Sequence, residues 1–267
     1  VTPTPGAADP TRLLEIAVEL AHAAGRALLD GQARVRTTVE TKSTRTDMVT
    51  EMDRASEALI AEGLRRARPH DGMLGEEGTA APGTTGVVWV VDPLDGTTNY
   101  LYDFPSWAVS IGAEVDGVPA VGVVYDPVHD ETFTAVSGGG AFLNDTRLRV
   151  AGAADLATAL VGTGFSYDAV NRRRQAELLT TVLPVVRDVR RAGSAASDMC
   201  WVAAGRLDAY YERGVQPWDV AAGTVIATEA GALVDRLEDE TIVVAVPQLF
   251  GPLSRLLTSA RSPGRDG

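Results

Sequence analysis

The chain has 267 residues, 45% of them hydrophobic and 22% charged, with a formal net charge of −12. That length and composition describe a globular protein with one large core or two moderate ones, and the acidic balance excludes the basic face that direct nucleic-acid binding requires. There is no apolar run of about 18 residues to span a membrane; the lone Cys200 cannot close an intrachain disulfide, and residues 1–10 lack the regions of a signal peptide, so a cytoplasmic setting is expected.

Residues 1–10 read as a lead-in, and 261–267 as a tail. Leu13, Ile16, Ala17, Leu20, Ala24 and Leu28 recur at helical spacing, which predicts an amphipathic helix over 11–30. A second helix is predicted from Thr50 to Ala67, with Ala55, Leu59, Ile60 and Leu64 on its apolar side and Pro69 behind it. Val87–Val91 reads as a buried central strand. Residues 106–115, 118–125, 129–136 and 141–150 read as short strands, with turns at Asp116-Gly117, Asp126-Pro127 and Gly138–Gly140. Residues 1–150 therefore form an N-terminal α+β half with two helices and an antiparallel sheet. Beyond residue 155 strands and helices alternate: a strand at 159–163, a helix at 172–186, a helix after Gly193, a strand at 207–212, a helix from Trp218, strands at 232–236 and 241–246, and a last helix at 248–258. Residues 151–267 make a C-terminal α/β half. With no linker between them, a site is expected where the halves meet.

The apolar run at 87–91 ends in Asp92-Pro93-Leu94-Asp95-Gly96-Thr97-Thr98-Asn99. Two carboxylates, a glycine and two hydroxyls at the end of a buried strand suit a hard divalent cation and an anion better than they suit packing. Asp92 and Asp95 supply charged oxygens of the kind Mg²⁺ prefers, and the Leu94 carbonyl stands between them. Gly96 and Thr97 have the character of a helix start, where free N–H groups favour phosphate. Other acids stand in unusual settings. Glu76 lies in the glycine-flanked Gly75-Glu76-Glu77-Gly78, Asp53 in a helix start, VTEMDR, and Asp219 in the first turn of a small-residue helix. Each has a plain alternative as a helix cap or a solvated turn. Brought together, Glu76, Asp92, Asp95 and Asp219 would form an all-oxygen cage whose members repel unless cations are present. His22, His70 and His129 are isolated, so Mg²⁺, or Mn²⁺, is expected rather than zinc. No phosphate-binding P-loop, dinucleotide fingerprint or serine nucleophile elbow occurs.

Lys42-Ser43, VTEMD, GEEG, DPLDGTTN, RRAGSAASDMC, GRLDAYYERG and WDVAAGTVIATEAG, in that order over about residues 40–235, closely resemble the inositol monophosphatase family, and within it the bacterial extragenic-suppressor type. The resemblance implies a layered αβαβα sandwich and a magnesium-dependent, lithium-sensitive phosphatase acting on a small phosphorylated polyol, commonly as a homodimer. It implies two or three Mg²⁺ per subunit. Glu76, Asp92, Thr97 and the Leu94 carbonyl would hold the first, Asp92, Asp95 and Asp219 the second, and Glu76 a third through water. It further implies phosphate contacts from Gly96 and Thr97, and a proton relay through Asp53 and Thr97, with Glu76 also at the reaction centre. A polyol pocket of Asp95, Gly193, Ser194, Ala195, Glu212 and Asp219 follows, as does a metal-gating loop near Lys42 and Asp47. Leu94 and Ser194 differ from residues common in relatives, and Phe165, Ser166 and Asp168 occupy a stretch that varies with substrate. Related folds hydrolyse sugar bisphosphates, histidinol phosphate or phosphoadenosine phosphate, and bacterial relatives also act as partners in transcription complexes.

Overall fold

The computed structural model describes residues 8–37, 45–151, 153 and 155–259, of which 33–37 and 45–50 are described by their backbone alone. The expected lead-in before residue 8, the tail and Lys42 lie outside the described residues, and of Asp47 only the helical backbone is described. The chain opens with α1 (Pro10–Thr37) and α2 (Arg45–Ala67). An eight-stranded sheet follows, built from β1 (Gly72–Gly75), β2 (Ala80–Ala81), β3 (Val87–Asp95), β4 (Ala108–Val115), β5 (Val118–Asp126), β6 (Glu131–Val136), β7 (Gly140–Leu143) and β8 (Thr146–Arg147). The short helix α3 (Thr97–Tyr102) interrupts it after β3. A five-stranded sheet is built from β9 (Leu160–Thr163), β10 (Asp188–Arg190), β11 (Ala209–Arg213), β12 (Leu233–Arg236) and β13 (Thr241–Ala245), interleaved with α4 (Ala169–Val182), α5 (Ala195–Ala203) and α6 (Pro217–Glu229) and followed by α7 (Pro247–Ser259).

Side-chain alternation along the strands makes the layers. Val109, Ile111 and Ala113 of β4, with Val121 and Val123 of β5, turn to the face covered by α1 and α2. Ala108 and Val124 turn to the other face, where Ala196, Cys200, Val225 and Ile226 of α5 and α6 meet them. The same two helices bury Met199, Val220 and Ala227 against Tyr210, Ile242 and Val244 of the second sheet. The far face of that sheet, with Ala209, Val243 and Ala245, takes Leu249, Leu253 and Leu257 of α7. The order is helices, sheet, helices, sheet, helices: the expected αβαβα sandwich. No described helix is long and apolar enough to cross a membrane.

Two glycines let α6 come close. Gly112 and Gly122 are paired across β4 and β5. A β-carbon at Gly112 would lie 3.0 Å from the Ala221 methyl carbon, and one at Gly122 would press into the Ala222 carbonyl.

Several elements differ from the sequence expectation for identifiable reasons. Strand β3 continues through Asp95, with the register of its pairing to β4 shifting between Asp92 and Asp95. Helix α2 begins upstream of Thr50, so Asp53 stands more than two turns inside it rather than at its start. Helix α4 stops at Val182 instead of 186, because Pro184 cannot extend it. Strands β2, β8 and β10 have too few residues to show a period.

Candidate active site

The acids sit where the ends of β1, β3 and β11 meet the first turns of α3, α5 and α6. Glu76 follows β1, which runs parallel to β3, and the Glu76 N–H donates to the Val91 carbonyl at 3.2 Å. That register places Glu76 beside Asp92. Within the irregular end of β3 the Leu94 N–H donates to Asp92 Oδ1 at 3.0 Å, turning the chain so that Asp92 and Asp95 both reach the cleft. Gly96 then has φ 97°, and a β-carbon there would lie 3.0 Å from the Ser106 carbonyl. An L residue would meet both torsional strain and a clash. Glycine thus lets α3 begin immediately, and its first hydroxyl, Thr97 Oγ1, lies 3.1 Å from the Leu94 carbonyl oxygen and also bonds the Asp53 carboxyl.

Residues of α5, α6 and β11 close the site. Ser194 Oγ donates to Asp95 Oδ2 at 2.7 Å, and the Ala196 N–H donates to the same oxygen at 2.7 Å. Asp95 is thereby gripped by the start of α5. Asp219, in the first turn of α6, accepts the Gln216 N–H at 2.7 Å, so one of its oxygens does act as a helix cap. Glu212 at the end of β11 accepts the Tyr210 hydroxyl at 2.7 Å. A cleft of about 310 Å³ is lined by Glu76, Asp92, Asp95, Thr97, Glu212 and Asp219, among others. Gly96, the Leu94 backbone, Gly193 and Ala195 also line it. Asp53 is 3% exposed and stands behind Thr97; Ser194 is 1% exposed, does not line the cleft, and its hydroxyl is committed to Asp95, so the structure buries it beneath the expected polyol pocket.

Electrostatics is the dominant property of this cleft. Burial, followed by Glu76, Glu77 and Glu57, pushes the Asp53 carboxyl up to about 8, against the Thr97 hydrogen bond. Burial and then Asp95, Glu76 and Asp219 hold Asp92 well above the usual carboxylate range. Glu76 is raised mainly by burial and is hydrogen-bonded to Asp92. Burial and Asp219 raise Asp95 even though Ser194 and the Ala196 N–H favour its anion. Burial likewise raises Asp219 and Glu212.

The donor set fits a hard divalent cation. It is all oxygen, and Glu76 Oε2 and Asp53 Oδ1 are buried without a hydrogen-bond partner. Groups that resist ionisation because of one another ionise readily once a cation lies among them. Among the described residues, no three His, Cys, Asp or Glu side chains are gathered closely enough to hold an ion as they stand. Carboxyl groups with raised pKa values give up protons as a cation enters, which is the ordinary coupling of metal binding to proton release.

Some participants are not visible in the motifs. Glu57, one turn beyond Asp53, is 3% exposed and accepts the Glu77 N–H at 2.8 Å and the Thr79 N–H at 2.9 Å, fixing the loop that carries Glu76. Its i,i+4 spacing from Asp53 was the available signal. Asp198 of α5 is buried, raised by burial, Glu212 and Asp95, and its Oδ1 has no partner. Phe165 and Ser166 line the cleft, whereas Asp168 caps α4 by accepting the Asn171 N–H at 2.8 Å.

A layered αβαβα sandwich, with buried carboxylates gathered at a cleft between its two sheets, defines the class as a phosphatase of the sugar-phosphatase type. The chain belongs to the inositol monophosphatase family, whose model matches residues 9–261. It is 49% identical to the Inositol-1-monophosphatase SuhB of Mycobacterium tuberculosis, over 96% of this chain and 91% of that protein. It is 44% identical to the Nus factor SuhB of Pasteurella multocida, over 83% of this chain and 84% of that one. The solved structure of Mycobacterium tuberculosis SuhB superposes with a TM-score of 0.85 at 44% identity, covering 95% of this chain and 98% of that chain.

Proposed function

We propose that this phosphatase is a Mg²⁺-dependent hydrolase of small phosphorylated polyols, with myo-inositol 1-phosphate as its leading substrate. The observation that carries the reading is the cleft itself: Glu76, Asp92, Asp95 and Asp219 all have raised carboxyl pKa values, and they lie beside the backbone of Gly96 and Thr97. The name of the 49% identical Mycobacterium tuberculosis relative supports the substrate. Glu76, Asp92, Thr97 and the Leu94 carbonyl would hold one ion, Asp92, Asp95 and Asp219 a second, and Glu76 would help with a third through water; Mn²⁺ would satisfy the same oxygens. Bound divalent cations supply Lewis-acid polarisation of the phosphate and a water of lowered pKa.

The chain's own groups do the rest. The Gly96 and Thr97 N–H groups receive phosphate oxygens, orienting the ester for in-line attack. The Asp53 carboxyl, ionised once cations offset its acidic neighbours, accepts a proton passed through Thr97 Oγ1. Glu212, Asp95, the backbone of Gly193 and Ala195, and Asp219 hold the polyol hydroxyls. A homodimer, a cytoplasmic location and lithium sensitivity belong to the same proposal, as does the division into residues 1–150 and 151–267.

The test is a phosphate-release panel with and without Mg²⁺, comparing myo-inositol 1-phosphate with fructose 1,6-bisphosphate, histidinol phosphate and phosphoadenosine phosphate. Preference for the inositol ester with Mg²⁺ present is expected; equal turnover of all four would remove the narrower substrate claim. The name Nus factor on the Pasteurella multocida relative favours a second reading, in which the same scaffold also serves as a regulatory binding protein. A complex with the transcription machinery that survives Asp95→Asn would support it.

A further inference from the structure

Asn99 stands on α3 between two stretches of chain that the proposed chemistry uses separately, the phosphate cradle at Gly96-Thr97 and the polyol segment at Gly193–Ala195. Its residue is 8% exposed. One nitrogen, Nδ2, donates to the Ser106 carbonyl at 2.5 Å and to the Ala192 carbonyl at 2.7 Å. The amide lies against Gly193, where a β-carbon would come within 2.9 Å of Nδ2 and 3.2 Å of Oδ1. Gly193 also has φ +99°, so an alanine there would be strained as well as crowded.

The chemistry is specific to an amide of this length. The NH₂ group carries two protons on one planar head and so serves two carbonyls at once. Aspartate would set acceptors against acceptors, leucine would offer nothing, and glutamine would overshoot by a methylene.

Among the hydrogen bonds of the described residues, the Asn99 bond to Ala192 is one of two ties between the 192–196 segment and the β3–α3 corner, while Thr98 Oγ1 meets the Tyr167 hydroxyl at 3.0 Å further along the cleft. The second tie is Asp95 Oδ2, held by Ser194 Oγ and the Ala196 N–H. A single link would leave the 192–194 turn free to pivot about Asp95. Two links fix its distance and its orientation from α3.

We propose that Asn99 is a positioning residue that sets the gap between the phosphate cradle and the polyol segment, and thereby selects leaving groups able to span it. The inference rests on the functional reading above. It goes beyond that reading by assigning discrimination to a side chain that touches neither substrate nor ion.

The experiment compares wild type and Asn99→Ala, with Mg²⁺, on myo-inositol 1-phosphate and on p-nitrophenyl phosphate, whose planar leaving group offers no hydroxyls. With Asn99→Ala, kcat/KM for the inositol ester should fall about tenfold, mainly through KM, as expected for loss of one buried hydrogen-bonded link. The value for p-nitrophenyl phosphate should change by less than about threefold. A parallel loss on both substrates, or no loss on either, overturns the inference. Asn99→Gln keeps the amide but not its reach and should shift the ratio in the same direction, so it carries the test should Asn99→Ala not fold. A wild type inactive on both substrates overturns the functional reading, and the inference with it.

Discussion

Replacing Gly122 with alanine adds one methyl group far from any proposed ligand, yet the fold makes it a test of the active site. Gly122 lies in the middle of β5, opposite Gly112 of β4, and the pair forms the floor on which α6 rests. The added carbon would press into the Ala222 carbonyl oxygen and come 3.1 Å from both the Ala222 carbonyl carbon and its Cα. These are backbone atoms of a helix and cannot rotate away as a side-chain tip would. A relaxed carbon–oxygen contact is about 3.3 Å or more, so α6 has to retreat by on the order of 1 Å. Behind it α5 stands close, since a β-carbon at Gly223 would meet Met199 at 2.9 Å. Overpacking of this kind costs about 1–3 kcal/mol, more than the roughly 0.5–1 kcal/mol that alanine gains over glycine in backbone entropy. At about 2–4 °C per kcal/mol for a domain of this size, a mid-range net loss of about 1.25 kcal/mol corresponds to roughly 3–5 °C in Tm. The same displacement moves Asp219, one turn before Ala222, and misplacement by about 1 Å can cost on the order of a hundredfold in rate. Differential scanning fluorimetry combined with a Mg²⁺ titration of inositol 1-phosphate turnover reads both effects. Gly112→Ala, whose β-carbon would come no closer than 3.0 Å to α6, should act in the same direction but less. Wild-type Tm, turnover and Mg²⁺ half-saturation in Gly122→Ala would show that α6 does not bear on the sheet at this point.

Other expectations follow from the same geometry. Asp95→Asn should keep the fold, because the amide oxygen can still accept from Ser194 and the Ala196 N–H, while phosphate release falls by about a hundredfold or more; unchanged release would refute its place at the reaction centre. Asp219→Asn should raise the Mg²⁺ concentration needed for half-maximal turnover, and a superimposable titration would count against it. In the metal-free protein the Asp53 pKa is raised from 3.8 to about 8, so its contribution favours the native state fully below pH 3.8 and is lost as pH rises through 8. Such a shift amounts to about 6 kcal/mol across that window, working against the folded state at high pH. Chelated wild type should therefore lose stability more steeply between those limits than chelated Asp53→Asn, as denaturant midpoints at several pH values would show; equal slopes would refute the assignment. Glu57→Ala frees the loop holding Glu76, and should weaken Mg²⁺ dependence with a stability loss of about 1–3 kcal/mol; intact Mg²⁺ affinity would make Glu57 a purely local brace.

Legibility in the sequence follows the range of the contacts involved. The β3–α3 corner is a local event: an apolar strand, a pair of aspartates and a glycine with φ 97° lie within a few residues, so its chemistry could be read directly. The alternating core faces were equally plain, because period two is written into each strand. What escaped depended on distant partners. Nothing around Asp53 reveals that α2 began two turns earlier, and nothing around Gly122 reveals that Ala222 lies against it. Ser194 stands in a polar motif and was expected at the pocket, but its hydroxyl is taken by Asp95, 99 residues away in sequence.

The same division explains why stability and function pull in opposite directions here. The carboxyl groups crowded at the end of β3 are each raised by burial and by one another, so in the absence of cations they oppose the structure that gathers them. The structure holds them through contacts made elsewhere: Gly112 and Gly122 seating α6, Glu57 bracing the Glu76 loop, and Asn99 with Ser194 tying α3 to α5. Rigid packing supplies the restraint and the acidic cleft stores the repulsion. A cation entering the cleft relieves that repulsion without needing to reorganise the core, and ion binding should accordingly show up first as protons released and only secondarily as movement.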